Sequence, residues 1–123
     1  MTAMKVLISG GGITGNCVVF WLSRLGDDTI VIEWYPELRT TGLQLDLRGH
    51  GIEVMKRMGL DSAFRAKVAP EQGLQFVDDS GRPRAHFPVN RSGNGLQNFT
   101  TNNEIMRGDF VQLLYGVTKD RVK

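Results

Sequence analysis

A glycine-rich stretch near the start of the chain constrains the fold more than any other feature. Residues Val6 to Gly15 read VLISGGGITG, so an apolar run leads directly into the pattern Gly-x-Gly-x-x-Gly. Gly10 suits the tight turn that follows a strand, Gly12 lets a diphosphate approach the main chain, and Gly15 lets a helix lie close to the strand. The free N–H groups at the helix N-terminus would face the anion. The stretch therefore predicts a phosphate-binding turn between a strand and a helix.

The residues around the glycine pattern predict a strand–helix–strand unit. Residues 5–9 have a short, continuous apolar centre with β-branched side chains, as in a buried parallel strand. Residues 12–25 carry apolar side chains at helical spacing. Residues 29–32 predict a second buried strand that stops at Glu33. An acid at this point can accept hydrogen bonds from both ribose hydroxyls of a dinucleotide, and it disfavours a 2′-phosphate by charge repulsion. The alternative is a surface glutamate at a strand end.

The rest of the chain predicts smaller elements around this unit. We expect a half-exposed strand over 43–47, helices over 52–58 and 61–67, a β-hairpin over 73–87, a loop over 90–103 and a helix over 109–117. Asp61 is the expected N-cap of the third helix. These elements predict an α/β fold, a truncated Rossmann-like unit with a small β-hairpin and a C-terminal helix, in one domain over residues 1–123.

The composition argues against several classes of function. The 123 residues include 15 basic and 13 acidic side chains, and no run of Lys or Arg indicates a nucleic-acid partner. Cys17 is the single cysteine, so it predicts a buried structural thiol rather than a disulfide framework or a zinc cluster. No apolar run is long enough to span a membrane, and no signal peptide is apparent. We therefore expect a cytoplasmic protein with no metal site.

Four segments in order resemble the FAD-dependent aromatic hydroxylases. These are the class A flavoprotein monooxygenases of the para-hydroxybenzoate hydroxylase type, and the tetracycline-inactivating branch is the most similar. The segments are the glycine stretch with its following acid, RTTG at 39–42, LDL at 45–47 and MRGDF at 106–110. Together they extend along nearly the whole chain, so the resemblance implies an FAD-binding fold for the chain as a whole.

The resemblance also implies a role for seven residues. By analogy with the family, the FAD diphosphate is held by Gly10, Gly12 and Gly15, and the adenosine ribose by Glu33. Arg39 matches an arginine near the flavin or the incoming NADPH. Asp46 matches an acid that related enzymes use at the flavin, and Arg107 matches an arginine that contacts FAD.

The implied chemistry is oxygen transfer from O₂ to an aromatic or polyketide-like substrate after NADPH reduces the flavin. In such enzymes the cofactor carries the reaction and the protein orients it. The sequence has no metal-ligand spacing, nucleophile motif or Ser-His-Asp set, and we assign no catalytic side chain.

Members of this family are much longer than the chain. An isolated segment of a parallel sheet exposes an edge and an apolar face, so we expect a homodimer or a complementing protein chain. One alternative is a truncated, non-redox relative that acts as a partner-binding module or as a small cyclase or isomerase. Another is a simple NAD-binding module, which explains Gly10 to Glu33 but gives no role to Arg39, Asp46 and Arg107.

Overall fold

The computed structural model describes residues 3–92, 94–95 and 99–122. The predicted loop over 90–103 therefore lies partly outside the described residues. The elements in chain order are β1 Lys5–Ser9, α1 Ile13–Leu25, β2 Asp28–Ile32, β3 Gln44–Asp46, α2 His50–Arg57, α3 Asp61–Arg65, β4 Gly73–Val77, β5 Pro83–Pro88, β6 Glu104–Met106 and α4 Arg107–Thr118, followed by a 3-10 turn at Lys119–Arg121. The fold is mixed α/β, as the sequence predicts.

The predicted strand–helix–strand order at the start of the chain is present. Strands β1 and β2 pair in parallel, with Lys5 opposite Asp28 and Ser9 opposite Ile32. Helix α1 connects them and ends at Gly26, which has a left-handed φ of 84°. Glycine adopts this conformation without the steric cost that a Cβ imposes. The carboxyl ends of both strands therefore lie beside the N-terminus of α1.

The prediction that both strands are buried is wrong. Along β1 and β2 the side chains alternate between a covered and an open face, and Leu7, Ile30 and Ile32 remain 64%, 44% and 50% exposed. Helix α1 packs against one face of the pair, whereas the apolar side chains on the opposite face remain exposed. The open face is therefore an exposed apolar surface.

The hydrophobic core lies between the helices rather than on the sheet. It is a cluster of buried side chains from α1, α2, α3, β6 and α4, with Phe64 and Ile105 wholly buried. The rings of Phe64 and Phe110 meet edge to face with their centroids 5.8 Å apart. Cys17 is half-buried against this cluster, and burial raises the pKa of its thiol. That environment is typical of a structural thiol and disfavours the reactive thiolate.

Two short antiparallel pairs complete the fold. Strands β3 and β6 pair so that Leu45 lies opposite Ile105, which brings the middle of the chain next to the start of α4. Strands β4 and β5 form the predicted hairpin. The prediction of Asp61 as an N-cap is wrong, because the cap position is Leu60 and Asp61 is already the first helical residue. There its carboxylate pairs with Arg65 one turn later.

Candidate functional site: a glycine turn and two adjoining clefts

The glycine turn has the backbone geometry that its spacing predicts. Gly10 has a φ of 107°, and its N–H donates to the carbonyl of Ile32 across 2.7 Å, which extends the strand pairing into the turn. A Cβ on Gly15 would lie 1.9 Å from the carbonyl oxygen of Gly10. Helix α1 therefore approaches the turn more closely than any residue with a side chain permits. The first turn of α1 has no acidic residue and no side-chain cap, so its N–H groups are available to an anion.

Glu33 closes one side of this turn. The Gly11 N–H donates to Oε2 of Glu33 across 2.7 Å, and the Tyr35 N–H donates to Oε1 across 2.9 Å. These bonds to Tyr35 and Gly11 lower the pKa of the Glu33 carboxyl below its usual range, because both favour the ionised form. Each carboxylate oxygen has a further lone pair, so the group can still accept bonds from a diol.

These two hydrogen bonds give a testable pH dependence. Because the folded-state pKa of Glu33 is depressed, its stabilising contribution is present above the unfolded pKa of about 4.3 and is lost as the pH falls through the folded value. We expect the difference in free energy of unfolding between wild type and Glu33→Gln to be larger at pH 7 than at pH 3. Urea unfolding at the two pH values measures it.

Glu37→Gln is the matched control, because Glu37 lines the same cleft but accepts neither of the two backbone bonds that Glu33 accepts. If Glu33→Gln lowers the free energy of unfolding by the same amount at pH 7 and pH 3, the depressed pKa of Glu33 is contradicted.

Arg107 joins the glycine turn to the segment before β3. Its Nη1 donates to the carbonyls of Arg39 and Thr41 across 2.9 and 3.2 Å. Its Nη2 lies 3.5 Å from the place where a Cβ on Gly12 would be. The guanidinium therefore lies directly beside the glycine turn. Arginine is suited to such a place because it keeps its charge and presents several donors in one plane.

Two clefts adjoin at this arginine. The first has a volume of about 510 Å³ and lies between the glycine turn, the segment after β2 and one face of α4. The second has a volume of about 460 Å³ and lies over the end of β1 and the first turn of α1. Gly12 and Arg107 line both clefts, so these two residues mark the point where the clefts meet.

The first cleft combines an apolar wall with several charges. Arg39, Lys119 and Arg107 provide positive charge, and Glu33 and Glu37 provide negative charge. Its apolar and aromatic wall includes Val31, Trp34, Tyr35, Pro36, Val111 and Tyr115. A cleft of this kind can hold a planar aromatic group against the wall while the charged groups contact a polar, anionic part.

Six of the seven predicted residues lie at these clefts, and Asp46 does not. Gly10, Gly12 and Gly15 line one or both, and Glu33, Arg39 and Arg107 line the first cleft. Asp46 lies in β3, where its carboxylate accepts a hydrogen bond from Thr101 and pairs with Arg48. Its role at a flavin remains a prediction, and its described partners are protein side chains.

Sequence reasoning missed a buried polar pair behind the glycine turn. Asn16 and Thr118 are both buried, and the hydroxyl of Thr118 donates to Oδ1 of Asn16 across 2.7 Å. The signal available in the sequence was an amide side chain one helical turn after Gly12, among apolar neighbours. Its partner could not be found, because the two residues are 102 positions apart.

The geometry is typical of one class of proteins. A parallel strand that ends in a glycine turn, a helix whose N-terminus faces a cleft, and an acid after the second strand are the features of α/β proteins that bind dinucleotides. Among the described residues there is no group of His, Cys, Asp and Glu side chains that could hold a metal ion. None of the described helices has both the length and the apolar character needed to cross a membrane.

Comparison with known proteins narrows this class. The chain is 61% identical over 122 residues to the FAD-dependent monooxygenase asL4 of Sarocladium schorii. The aligned segment covers 98% of this chain and 28% of that protein. It is 49% identical over 119 residues to the flavin-dependent monooxygenase eupH of a Phoma species, and the aligned segment covers 97% of this chain and 28% of that protein. The crystal structure of tetracycline destructase Tet(51) superposes on this chain with a TM-score of 0.77 at 29% sequence identity. The superposition covers 98% of this chain and 29% of the destructase. No protein-family model matches.

The chain is similar along nearly its whole length to one segment of the FAD-dependent monooxygenases, and its structural relatives include class A flavoproteins. It spans about 28% of the length of the two monooxygenases to which it is compared. The resemblance inferred from the four sequence segments is therefore confirmed.

Proposed function

We propose that this chain binds FAD, and that it holds the adenosine diphosphate part of the cofactor in the two adjoining clefts. The observation that carries the proposal is the convergence of the glycine turn, Glu33 and Arg107 at the point where the clefts meet. The names of the relatives support FAD as the dinucleotide rather than NAD. In this proposal residues 1–123 form one FAD-binding domain of the truncated Rossmann-like kind.

The residues present fit such a group. At Gly10 the position of a Cβ is open, and at Gly12 its nearest neighbour is the guanidinium of Arg107 at 3.5 Å, so a diphosphate can approach both main-chain positions. The N–H groups at the start of α1 and the charge of Arg107 would stabilise its negative charge. Glu33 would accept hydrogen bonds from the ribose, and Trp34 and Tyr35 would contact the adenine.

We propose that this chain contributes cofactor binding to a monooxygenase reaction of the kind that its full-length relatives are named for. FAD, when bound, supplies the redox chemistry by which a monooxygenase inserts oxygen from O₂ into a small molecule. We propose NADPH as the co-substrate and an aromatic or polyketide-like molecule as the substrate. The tetracycline destructase among the structural relatives supports this class of substrate. Within that reaction this chain binds and orients the cofactor.

Ligand binding by the purified chain tests the proposal. We expect FAD and ADP to raise the unfolding temperature, because a ligand at one hundred times its Kd stabilises a protein by about 2.7 kcal/mol. FMN and riboflavin lack the adenosine and should have little effect at the same concentrations. FAD absorbance should also change on binding. If neither FAD nor ADP alters the unfolding temperature or the spectrum, the proposal is wrong.

A second candidate function is supported by the open face of the parallel pair. Leu7, Ile30 and Ile32 expose apolar surface on one face, and such a surface favours contact with another protein or a second copy of the chain. A non-redox relative that binds a partner would elute colourless and in a complex. A yellow preparation whose elution volume is that of the monomer would support FAD binding alone.

A further inference from the structure

We infer that Asn16 and Thr118 are the positioning residues of the glycine turn, and that they direct its N–H groups toward the anion. The inference rests on the proposed binding of a dinucleotide diphosphate at this turn. It assigns a role to a buried pair behind the turn, of which Asn16 borders the first cleft and is 5% exposed. The evidence is a chain of hydrogen bonds that links two parts of the sequence.

The amide group of Asn16 holds two consecutive carbonyls. Its Nδ2 donates to the carbonyl oxygen of Gly11 across 2.7 Å and to that of Gly12 across 2.8 Å. The Gly12 carbonyl also accepts the backbone N–H of Asn16 at 3.1 Å, as the first bond of the helix. The Gly11 carbonyl lies outside the helical ladder, so the side chain of Asn16 is what keeps it turned toward α1.

The direction of these carbonyls decides the direction of the neighbouring N–H groups. In a trans peptide unit the C=O and the next N–H point in opposite directions. With the Gly11 and Gly12 carbonyls turned toward Asn16, the N–H groups of Gly12 and Ile13 point away from it. Gly12 and Ile13 line the second cleft, and Gly12 lines the first as well. Asn16 borders the first cleft, but its amide hydrogens are directed at the two carbonyls, so it sets the direction of two backbone donors.

Thr118 anchors the amide from the far end of α4. Its hydroxyl donates to Oδ1 of Asn16 across 2.7 Å, which fixes the amide with its Nδ2 toward the two carbonyls. The Leu114 and Tyr115 carbonyls lie farther from the same hydroxyl, at 3.1 and 3.3 Å. Asn16 is 5% exposed, so its Oδ1 cannot replace this donor with bulk water. The shape of the turn at the start of the chain therefore depends on the docking of its last helix.

Two readouts test this inference, and the first needs no ligand. In Asn16→Leu, which keeps the volume but loses the donors, we expect NMR order parameters of the Gly12 and Ile13 amides to fall from about 0.85 toward 0.6. Thr118→Val should lower them less. Thr29→Val is the matched control, because Thr29 is also buried, while its hydroxyl has no hydrogen-bond partner among the described residues. It should leave these amides unchanged.

The second readout compares two ligands that differ in the diphosphate. We expect Asn16→Leu to weaken ADP binding about tenfold, on the scale of one or two lost hydrogen bonds, and to leave the Kd of adenosine unchanged. A role in stability alone would weaken both ligands equally or neither. Unchanged order parameters together with an unchanged ratio of the two Kd values would overturn the inference, whatever the unfolding temperature does.

The design separates this inference from the proposed function. If the wild type binds neither ADP nor adenosine, the proposed function fails, and the order parameters still decide whether Asn16 positions the turn. If Asn16→Leu does not fold, Thr118→Val decides, because it removes only the anchor. An unchanged turn and unchanged ADP binding in Thr118→Val would then contradict the inference.

Discussion

Gly15→Ala will destabilise the fold by about 1–3 kcal/mol and weaken the binding of FAD, because the new Cβ collides with the main chain. The Cβ would lie 1.9 Å from the carbonyl oxygen of Gly10 and 3.1 Å from its carbonyl carbon. Neither atom is the end of a flexible side chain, so relief requires α1 to move away from the glycine turn. Urea unfolding measures the loss in stability, and an FAD titration at low temperature measures the loss in affinity.

Two glycines of α4 provide a matched comparison for the same substitution. A Cβ on Gly108 would lie 2.0 Å from the carbonyl oxygen of Thr40, whereas a Cβ on Gly116 would meet no atom within 4 Å. We expect Gly108→Ala to destabilise the protein, as Gly15→Ala does. Gly116→Ala should stabilise it by about 0.5–1 kcal/mol, because alanine loses less backbone entropy in a helix. Equal effects of all three alanines would contradict the close approach that we describe.

Arg107→Met should weaken the binding of ADP and FAD by about tenfold to a hundredfold, because hydrogen bonds to charged groups contribute about 1.5–3 kcal/mol. The substitution removes the charge at the junction of the clefts and the two bonds to the carbonyls of Arg39 and Thr41. Arg107→Lys keeps the charge but loses the planar fork, so its affinity should lie between wild type and Arg107→Met. Isothermal titration with ADP measures all three.

Arg57→Met is the control for this series. Arg57 pairs with Glu53 on the exposed side of α2 and lines neither cleft. An exposed pair of this kind contributes little, so ADP binding should not change. The role of Arg107 is contradicted if the two methionine variants bind ADP with the same affinity as the wild type.

Much of the site could be predicted because its first part is local. The turn needs glycine at Gly10 for a positive φ and at Gly15 for close approach, and both requirements are apparent in the spacing. The place of Glu33 beside the turn could be predicted because it directly follows the second strand of a strand–helix–strand unit. The side chain of Glu33 also bonds to the Gly11 N–H, which connects the two predicted parts directly.

Other predictions failed where a residue's environment depends on distant parts of the chain. The apolar run in β2 predicts burial, but whether Ile30 and Ile32 are covered depends on what packs on the second face of the sheet. Helix α4 begins at Arg107 rather than at Asp109, because β6 leads directly into the helix. The contact of Asp46 with Thr101 also depends on a distant part of the chain, and the role of Asp46 at a flavin stays a prediction.

By itself the sequence determined the strand order at the start of the chain, the glycine turn and the acid beside it. These features are local, because glycine and the apolar pattern limit the backbone within a few residues. Only the tertiary structure decided that Arg107 lies at the junction of two clefts and that Thr118 anchors Asn16 behind the turn. Contacts between residues so far apart depend on how α4 docks against α1, which no local pattern specifies.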